Sequence, residues 1–84
     1  MTLEEFDRLP MTEKVHKTFE LGDDLGRRNY LYYQVRLYMI DDFYVEIWYH
    51  PNLTKIERVE IISSEDVFAH YYEQIDISDA LSVI

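Results

Sequence analysis

Cysteine is the most informative absence from this sequence. A chain of 84 residues without cysteine has no disulfide framework and no thiolate metal site, and it fits a reducing cytoplasm. The longest run without a charged residue spans 47–54, far short of the roughly 20 apolar residues that a membrane helix needs. The first residues are acidic and lack the apolar core of a signal peptide. We therefore expect a soluble, cytoplasmic protein without membrane contacts.

Basic residues are absent from the last third of the chain. The net charge is -9, and no Lys or Arg follows Arg58, whereas six acidic residues do. A negative field repels phosphate backbones and anionic lipid surfaces, so we expect neither direct nucleic-acid binding nor membrane binding. The acidic surface favours either plain solubility or attraction to a basic partner.

Hydrophobic residues are abundant enough to form one core. They make up 48% of the chain, which argues against disorder despite the charge. The length fits one domain, residues 1–84, and no internal repeat or low-complexity tract is present.

The N-terminal segment carries the signals of two short helices. Thr2 and Glu5 have capping-box spacing, which predicts a helix through Arg8 that ends before Pro10. A second helix is predicted from residue 11 or 12 to residue 20, stopped by glycine. Its expected core-facing stripe is Met11, Val15 and Phe19. Residues 23–29 are predicted to be a polar connection or a weak edge strand.

Three runs with a period of two follow, at 30–39, 43–50 and 55–62. They are rich in β-branched and aromatic residues, and the odd-numbered side chains are the more aliphatic in each run. The pattern predicts a three-stranded antiparallel meander with one packed face. Together with flanking helices, it indicates an α+β fold with N-terminal helices, the meander and a C-terminal helix.

The register of the first hairpin follows from keeping the aliphatic residues on one face. A two-residue turn would set Leu37 opposite Glu46 and mix the faces. A three-residue loop of residues 40–42 instead sets Arg36 opposite Glu46, a favourable ion pair. We therefore predict the longer loop, with Asp42 as the left-handed residue. One register of the second hairpin adds Arg58 beside Glu46.

The last helix is predicted to begin after Ser63 or Ser64. Acidic residues in its first turn suit the helix dipole. Val67, Tyr71 and Ile75 form its expected apolar stripe. Residues 76–81 then indicate a break followed by a short helical turn or an extended tail.

The less aliphatic face of the predicted sheet gathers aromatic and charged side chains. Exposed in solvent, such a patch is a candidate interface, because Tyr, Trp and Arg dominate binding hot spots. The alternative is that a helix, or the tail residues Ile77, Leu81, Val83 and Ile84, covers it. The candidate interaction residues are Tyr30, Tyr32, Arg36, Tyr38, Tyr44, Glu46, Trp48 and Arg58.

No motif in the sequence supports catalysis. The three histidines lack the spacing of a metal site, and adjacent Asp residues are typical of turns rather than of calcium loops. The two glycines do not form a phosphate-binding loop. We expect a non-enzymatic protein with no catalytic residue, no metal and no cofactor, although a small enzyme or ligand binder stays open as a third hypothesis.

Three segments carry a resemblance to known proteins: Asp41-Asp42-Phe43-Tyr44-Val45-Glu46-Ile47-Trp48-Tyr49, Lys55-Ile56-Glu57-Arg58-Val59 and the ending Ile77-Ser78-Asp79-Ala80-Leu81. Their pattern resembles that of a group of small uncharacterised bacterial proteins. The resemblance can extend over residues 11–81, and Asp42 stands where those proteins carry glycine. It implies a shared small fold and no known activity, so it assigns no site.

Two function classes follow from these features. The first is a protein-interaction or self-associating module, with a protein partner or a second copy as a homodimer. The second is an acidic inhibitor of a basic partner, such as an immunity protein or a nucleic-acid mimic, which would use the carboxylates after Arg58.

Overall fold

The computed structural model describes residues 1–74, which form three helices and one antiparallel sheet. The helices are α1 (Leu3–Asp7), α2 (Met11–Leu21) and α3 (Ser64–Tyr71). The strands are β1 (Asp23–Tyr30), β2 (Tyr33–Ile40), β3 (Phe43–His50) and β4 (Lys55–Ile62). The sheet order is β1-β2-β3-β4, a meander in which each strand pairs with its neighbour in sequence. The α+β class and the order of helices, meander and helix are confirmed.

The helix starts agree with the capping signals. Thr2 accepts a hydrogen bond from the Glu5 backbone, and the Glu5 side chain accepts one from the Thr2 backbone, which completes the predicted capping box. Ser63 caps α3 by accepting from the Asp66 amide at 3.2 Å. These bonds satisfy amides that would otherwise lack intrahelical partners.

The sheet has four strands rather than the predicted three, because residues 23–30 form the edge strand that the sequence left as an alternative to a polar connection. The fourth is β1, which pairs along its whole length with β2 in spite of its polar sequence. A register shift between Asp24 and Gly26 leaves Leu25 as an extra residue, and Leu25 packs beneath α3. The bulge thus gives a polar strand one apolar anchor.

The first hairpin has a two-residue turn, so the predicted three-residue loop was wrong. Ile40 pairs with Phe43 and Leu37 pairs with Glu46, and the left-handed residue is Asp41, at φ 51°. The prediction assumed one buried face. The sheet in fact buries both, so placing the aliphatic residues of β2 and β3 on opposite faces is the register that fills two cores.

Helices cover the two faces of the sheet separately. On the face that we call the N-helix face, Phe6 of α1 packs with Ile40, Phe43 and Val45. On the opposite face, the C-helix face, Val67 and Tyr71 of α3 pack on Leu37. These form two small cores with the sheet between them.

Helix α2 lies on the sheet through a different stripe from the one predicted. Met11 is exposed, Val15 is half-buried and Phe19 is 56% exposed, whereas Thr18 is fully buried. Thr18 satisfies its hydroxyl by donating to the Lys14 carbonyl at 2.7 Å. A short side chain at the contact lets the helix approach the sheet closely, and this leaves Phe19 at the rim.

Helix α3 approaches β1 at a glycine. A Cβ on Gly26 would lie 2.8 Å from the Gln74 side-chain oxygen and 3.5 Å from the Tyr71 ring, so a larger residue would displace the Gln74 side chain. The same oxygen accepts a 2.7 Å hydrogen bond from the Arg27 amide. The predicted stripe of α3 is confirmed at Val67 and Tyr71. Ile75, the predicted break and tail at 76–81, and the proposed covering residues 77, 81, 83 and 84 lie outside the described residues.

Helices of membrane-spanning length and hydropathy are absent from residues 1–74.

Candidate functional site

The meander brings the β1–β2 turn and the β3–β4 turn to the same end of the sheet. The four residues at the first turn are Tyr30, Leu31, Tyr32 and Tyr33, and we call them the aromatic tip. Tyr30 and Tyr33 close the hairpin as a cross-strand pair, and Leu31 and Tyr32 form its two-residue turn. Six of the eight predicted interaction residues lie on the C-helix face or at this tip: Tyr30, Tyr32, Tyr44, Glu46, Trp48 and Arg58.

Trp48 lies beneath the aromatic tip and is 7% exposed. Tyr30 and Tyr33 meet it edge-on, with ring centroids 5.7 and 5.3 Å away. The guanidinium groups of Arg28 and Arg58 lie 5.2 and 4.6 Å from its ring centroid, where each gains a cation–π attraction. Of the two alternatives that the sequence left open for this face, exposure in solvent is wrong for Trp48, because side chains of neighbouring strands enclose it.

The indole nitrogen of Trp48 is buried, and no residue within 1–74 offers it an acceptor. An unpaired buried donor generally costs about 1–3 kcal/mol. The two cation–π contacts and the edge-on tyrosines act against this cost, and they hold the ring as a fixed platform under the tip.

Glu46 is 2% exposed, and it is the most buried charged residue among residues 1–74. Arg28 donates to it twice, at 3.0 and 3.3 Å, in a bidentate ion pair. The Tyr71 hydroxyl of α3 donates to the same carboxylate at 2.6 Å. Burial raises the pKa of Tyr71, and the hydrogen bond to Glu46 raises this pKa further. The three groups therefore lock α3 to β1 and β3.

The predicted row Arg36–Glu46–Arg58 was wrong, because it depended on the wrong register. Arg36 pairs with Ile47 on the N-helix face, and Arg58 pairs with Trp48 and bonds to Glu60 at 2.8 Å. The cation that meets Glu46 is Arg28, from a strand that the sequence indicated only weakly.

A bulge in β4 supports the aromatic tip from the other side. The register of β3 and β4 shifts between Trp48 and Tyr49, which leaves Glu57 as the extra residue. The Tyr33 hydroxyl donates to Glu57 at 2.8 Å. This hydrogen bond is the largest cause that raises the pKa of Tyr33 to about 12, so Tyr33 stays a neutral donor at neutral pH.

The turn of the aromatic tip is strained and exposed. Leu31 has a left-handed backbone, at φ 54°, a conformation that costs a bulky residue roughly 1–2 kcal/mol. Its side chain is 76% exposed, and Tyr30 and Tyr32 are more than half exposed. No burial within the described chain offsets the strain at Leu31. Glycine, Asn or Asp is the usual residue at such a position.

Charge in the sheet is polarised along the strands. The half nearer the aromatic tip carries five of the chain's eight basic residues and one carboxylate, Glu57. The other half carries six carboxylates and no base. The basic residues are Arg27, Arg28, Arg36, Lys55 and Arg58, and the six carboxylates belong to Asp23, Asp24, Asp41, Asp42, Glu46 and Glu60.

Tyr44 and the remaining predicted residues lie apart from the tip. Arg36 and Tyr38 point to the N-helix face, where Tyr38 is buried and meets Phe19 edge-on at 5.8 Å. Tyr44 is half-buried and packs against the core under α3. A single aromatic face containing all eight residues therefore does not form.

The sequence reading missed Leu31, Arg28, Tyr33 and Tyr71 as site residues. Leu31 was assigned to a strand because its hydrophobicity fits the period-two pattern. Leu31 is recognised as a turn residue only when residues 23–30 are paired with β2 as a strand. The polar sequence of residues 23–30 gives little reason to assign that strand. Arg28 and Tyr71 depend on that same strand.

The tip and its support present groups that are common in binding surfaces. Within residues 1–74, no group of three or more His, Asp or Glu side chains lies close enough to hold a metal ion. The tip presents aromatic rings and an aliphatic side chain, and guanidinium groups lie in the support beneath it; aromatic rings and guanidinium groups are typical anchors of protein interfaces.

No protein-family model matches the chain, and no curated protein or solved structure matches it significantly. The resemblance to small bacterial proteins therefore stays a prediction, and function has to be argued from the geometry.

Proposed function

We propose that this protein is a non-enzymatic interaction module that inserts its aromatic tip into an apolar pocket of a partner protein. The observation that carries the proposal is Leu31. A bulky side chain held at φ 54° and 76% exposed is unfavourable in the isolated chain. Strained residues that the fold nevertheless retains are concentrated at functional sites. Burial of Leu31 in a partner would supply the missing compensation.

The support beneath the tip favours recognition without rearrangement. Tyr30 and Tyr33 rest on Trp48, and Trp48 is held between two guanidinium groups. A tip fixed in this way loses little conformational entropy on binding. Exposed Tyr30, Leu31 and Tyr32 are therefore prearranged anchors.

The local charge favours a partner whose pocket is edged with carboxylates. Lys55, Arg27 and Arg36 form no ion pair with any residue in 1–74. A compact acidic rim would meet this basic half of the sheet. A nucleic acid would extend beyond the basic half of the sheet, and its phosphates would be repelled by the rest of a chain with net charge -9. A protein is therefore the favoured partner. The cysteine-free composition supports action in the cytoplasm.

The test replaces Leu31 by asparagine, which is nearly isosteric and tolerates left-handed backbone. The matched control is Arg8→Gln, a change on the exposed end of α1. Tagged wild type and both variants are incubated with extract from the protein's own source cells, and bound proteins are quantified by mass spectrometry. We expect an acidic protein to be retained by wild type and Arg8→Gln and lost with Leu31→Asn.

Three results would contradict this proposal. One is a set of bound proteins that does not change with Leu31→Asn. Another is a Leu31-dependent RNA or DNA in the bound fraction, which would assign the tip to nucleic acid. The third is a Leu31-dependent rise in molecular mass of the pure protein with concentration, which would assign it to self-association.

A second candidate function is inhibition of a basic partner through α3. Phe68 and Tyr72 stack on its exposed side with centroids 5.9 Å apart, and both are exposed. Glu65 and Asp66 are also exposed in the same helix. Aromatic anchors beside carboxylates suit a basic surface. If this function holds, Glu65→Gln with Asp66→Asn will release a basic partner that Leu31→Asn retains.

A further inference from the structure

A groove on the N-helix face lies away from the aromatic tip. Helix α2 ends at Leu21, and the sheet beyond Phe19 is not covered by any described helix. The groove has a volume of about 300 Å³, at the lower end of the range for small-molecule pockets. Its lining residues are Phe19, Gln34, Arg36, Ile47, Tyr49 and Ile56.

One wall of this groove is apolar. Ile47 is buried at its base, and Tyr49 and Ile56 are a cross-strand pair, both half-buried. Phe19 closes the groove from the helix side. These side chains suit one aromatic or branched aliphatic group.

The other end of the groove is basic. Arg27 and Arg36 are directly opposed across β1 and β2, and the next pair on this face is Asn29 with Gln34. A second cavity of about 250 Å³ adjoins the groove here and shares Gln34 and Arg36 with it. Gln34 and Arg36 therefore line the groove itself, and Arg27 and Asn29 line the cavity next to it.

The opposition of Arg27 and Arg36 is unfavourable in the free protein. Like charges directly across a pair of strands repel each other, and neither arginine forms an ion pair with a residue in 1–74. This repulsion persists in a chain that has 17 acidic residues. An anion placed between the two guanidinium groups would remove it.

We propose that the groove binds a small carboxylic acid that carries one aromatic or branched aliphatic group. The carboxylate accepts hydrogen bonds from Arg36 and Arg27, since a guanidinium matches the geometry of a carboxylate and binds it in a bidentate manner. The apolar group lies against Ile47, Tyr49 and Phe19. The groove lies on the N-helix face, away from the aromatic tip, although Arg27 and Arg36 also belong to the basic half of the sheet. Binding of a small acid is tested on the pure protein, without a partner protein, so its outcome is distinguishable from that of the interaction test.

Phenylacetate is the probe that tests the proposal. It is titrated into the full-length protein, and binding is followed by NMR at the Ile47 and Ile56 methyl groups, with the Val67 methyl groups on the opposite face as an internal reference. Acetate carries the charge without the ring, and phenylacetamide carries the ring without the charge. We expect saturable shifts at Ile47 and Ile56 with phenylacetate, and much weaker binding of the other two compounds.

Single substitutions identify which arginine binds the carboxylate of phenylacetate. Arg36→Gln should weaken phenylacetate binding by roughly 10- to 100-fold, the loss expected for a charge-assisted hydrogen bond. Arg8→Gln removes the same charge far from the groove and should leave binding unchanged. Arg27→Gln is a second variant, should Arg36→Gln fail to fold, and it should also weaken binding.

Three outcomes would overturn the proposal. The first is the absence of saturable shifts with phenylacetate at the groove methyl groups. The second is binding that survives both Arg36→Gln and Arg27→Gln, and the third is equal binding of phenylacetamide, because in either case the arginines would not recognise the acid.

Discussion

At the scale of single residues, the buried Glu46 carboxylate is the most demanding feature. Burying a charge is unfavourable unless it is paired and hydrogen-bonded. Arg28 and Tyr71 meet this requirement from two different elements, at 3.0 and 2.6 Å. The contact therefore fixes where β1 and α3 lie relative to β3.

Arg28→Met is predicted to destabilise the protein strongly. It leaves Glu46 buried without its cation, and the loss of one partner of a buried pair generally costs about 3–5 kcal/mol. In a Glu46→Gln background, the same substitution should cost less, because no buried charge is left unpaired. Urea denaturation of the four proteins measures both costs. Equal costs in the two backgrounds would show that Arg28 acts through packing alone.

The two perturbed tyrosines predict how stability changes at alkaline pH. The pKa of Tyr33 is raised from 10 to about 12, and burial raises that of Tyr71. A raised pKa in the folded state means that the stabilisation is complete below about pH 10 and is lost as the pH rises through the folded value. Tyr71 contributes more, since it is fully buried, whereas Tyr33 is only half-buried and its hydrogen bond is partly screened by solvent.

Urea midpoints measured from neutral pH to above pH 10 test this dependence. The free energy of unfolding should fall above pH 10 in the wild type, and the fall should be smaller in Tyr71→Phe. An equally steep fall in both proteins would assign the effect to other groups.

Among the structural elements, the β1–β2 hairpin loses stability at its turn, where the strained Leu31 backbone exposes an apolar side chain. Leu31→Asn is predicted to raise the free energy of unfolding by up to about 1 kcal/mol, because it relieves the left-handed strain at φ 54° and sacrifices little burial. Thermal or urea denaturation measures this. A clear loss of stability would mean that Leu31 packs within its own chain, and the tip would lose its role as an anchor.

The opposed arginines of β1 and β2 predict a second stabilising substitution. Arg36→Gln removes the repulsion from Arg27 and should stabilise the sheet by ~0.2–1 kcal/mol. The gain should shrink as salt is added, because salt screens the repulsion in the wild type. A stabilisation that salt does not change would point to altered packing.

Elements were predictable where local signals determine them. The capping residues Thr2 and Ser63 and the period-two runs of β3 and β4 gave helices and strands close to those observed. The register was not predictable in the same way. The strand register depends on whether helices cover one face of the sheet or both. Coverage of the second face depends on where α3 packs, which local sequence signals do not determine. Pairing Leu37 with Glu46 looks unfavourable until Tyr71 and Arg28 surround the carboxylate.

At the scale of the whole molecule, net charge conceals a gradient. The chain carries -9 overall, yet five of its bases share the half of the sheet that ends in the aromatic tip. Sequence position alone showed only the acidic last third. The basic half becomes visible when the four-strand register brings Arg27 and Arg28 beside Arg36 and Arg58.

This gradient predicts a salt-sensitive complex with an acidic partner. Rim charges mainly act on the rate of association, so association through the tip should slow as ionic strength rises while dissociation changes little. Stopped-flow or surface-based kinetics with the captured partner measures both rates. An association rate that does not depend on salt would show that the basic half of the sheet does not contribute to association.

The role of the aromatic tip as the docking element is tested by the quantitative capture comparison among wild type, Leu31→Asn and Arg8→Gln. We expect an acidic protein to be held by wild type and Arg8→Gln, and its retained amount to fall by about tenfold or more with Leu31→Asn, as for a hot-spot anchor. If Leu31→Asn, stably folded, holds the same proteins in the same amounts as wild type, the aromatic tip is not the docking element.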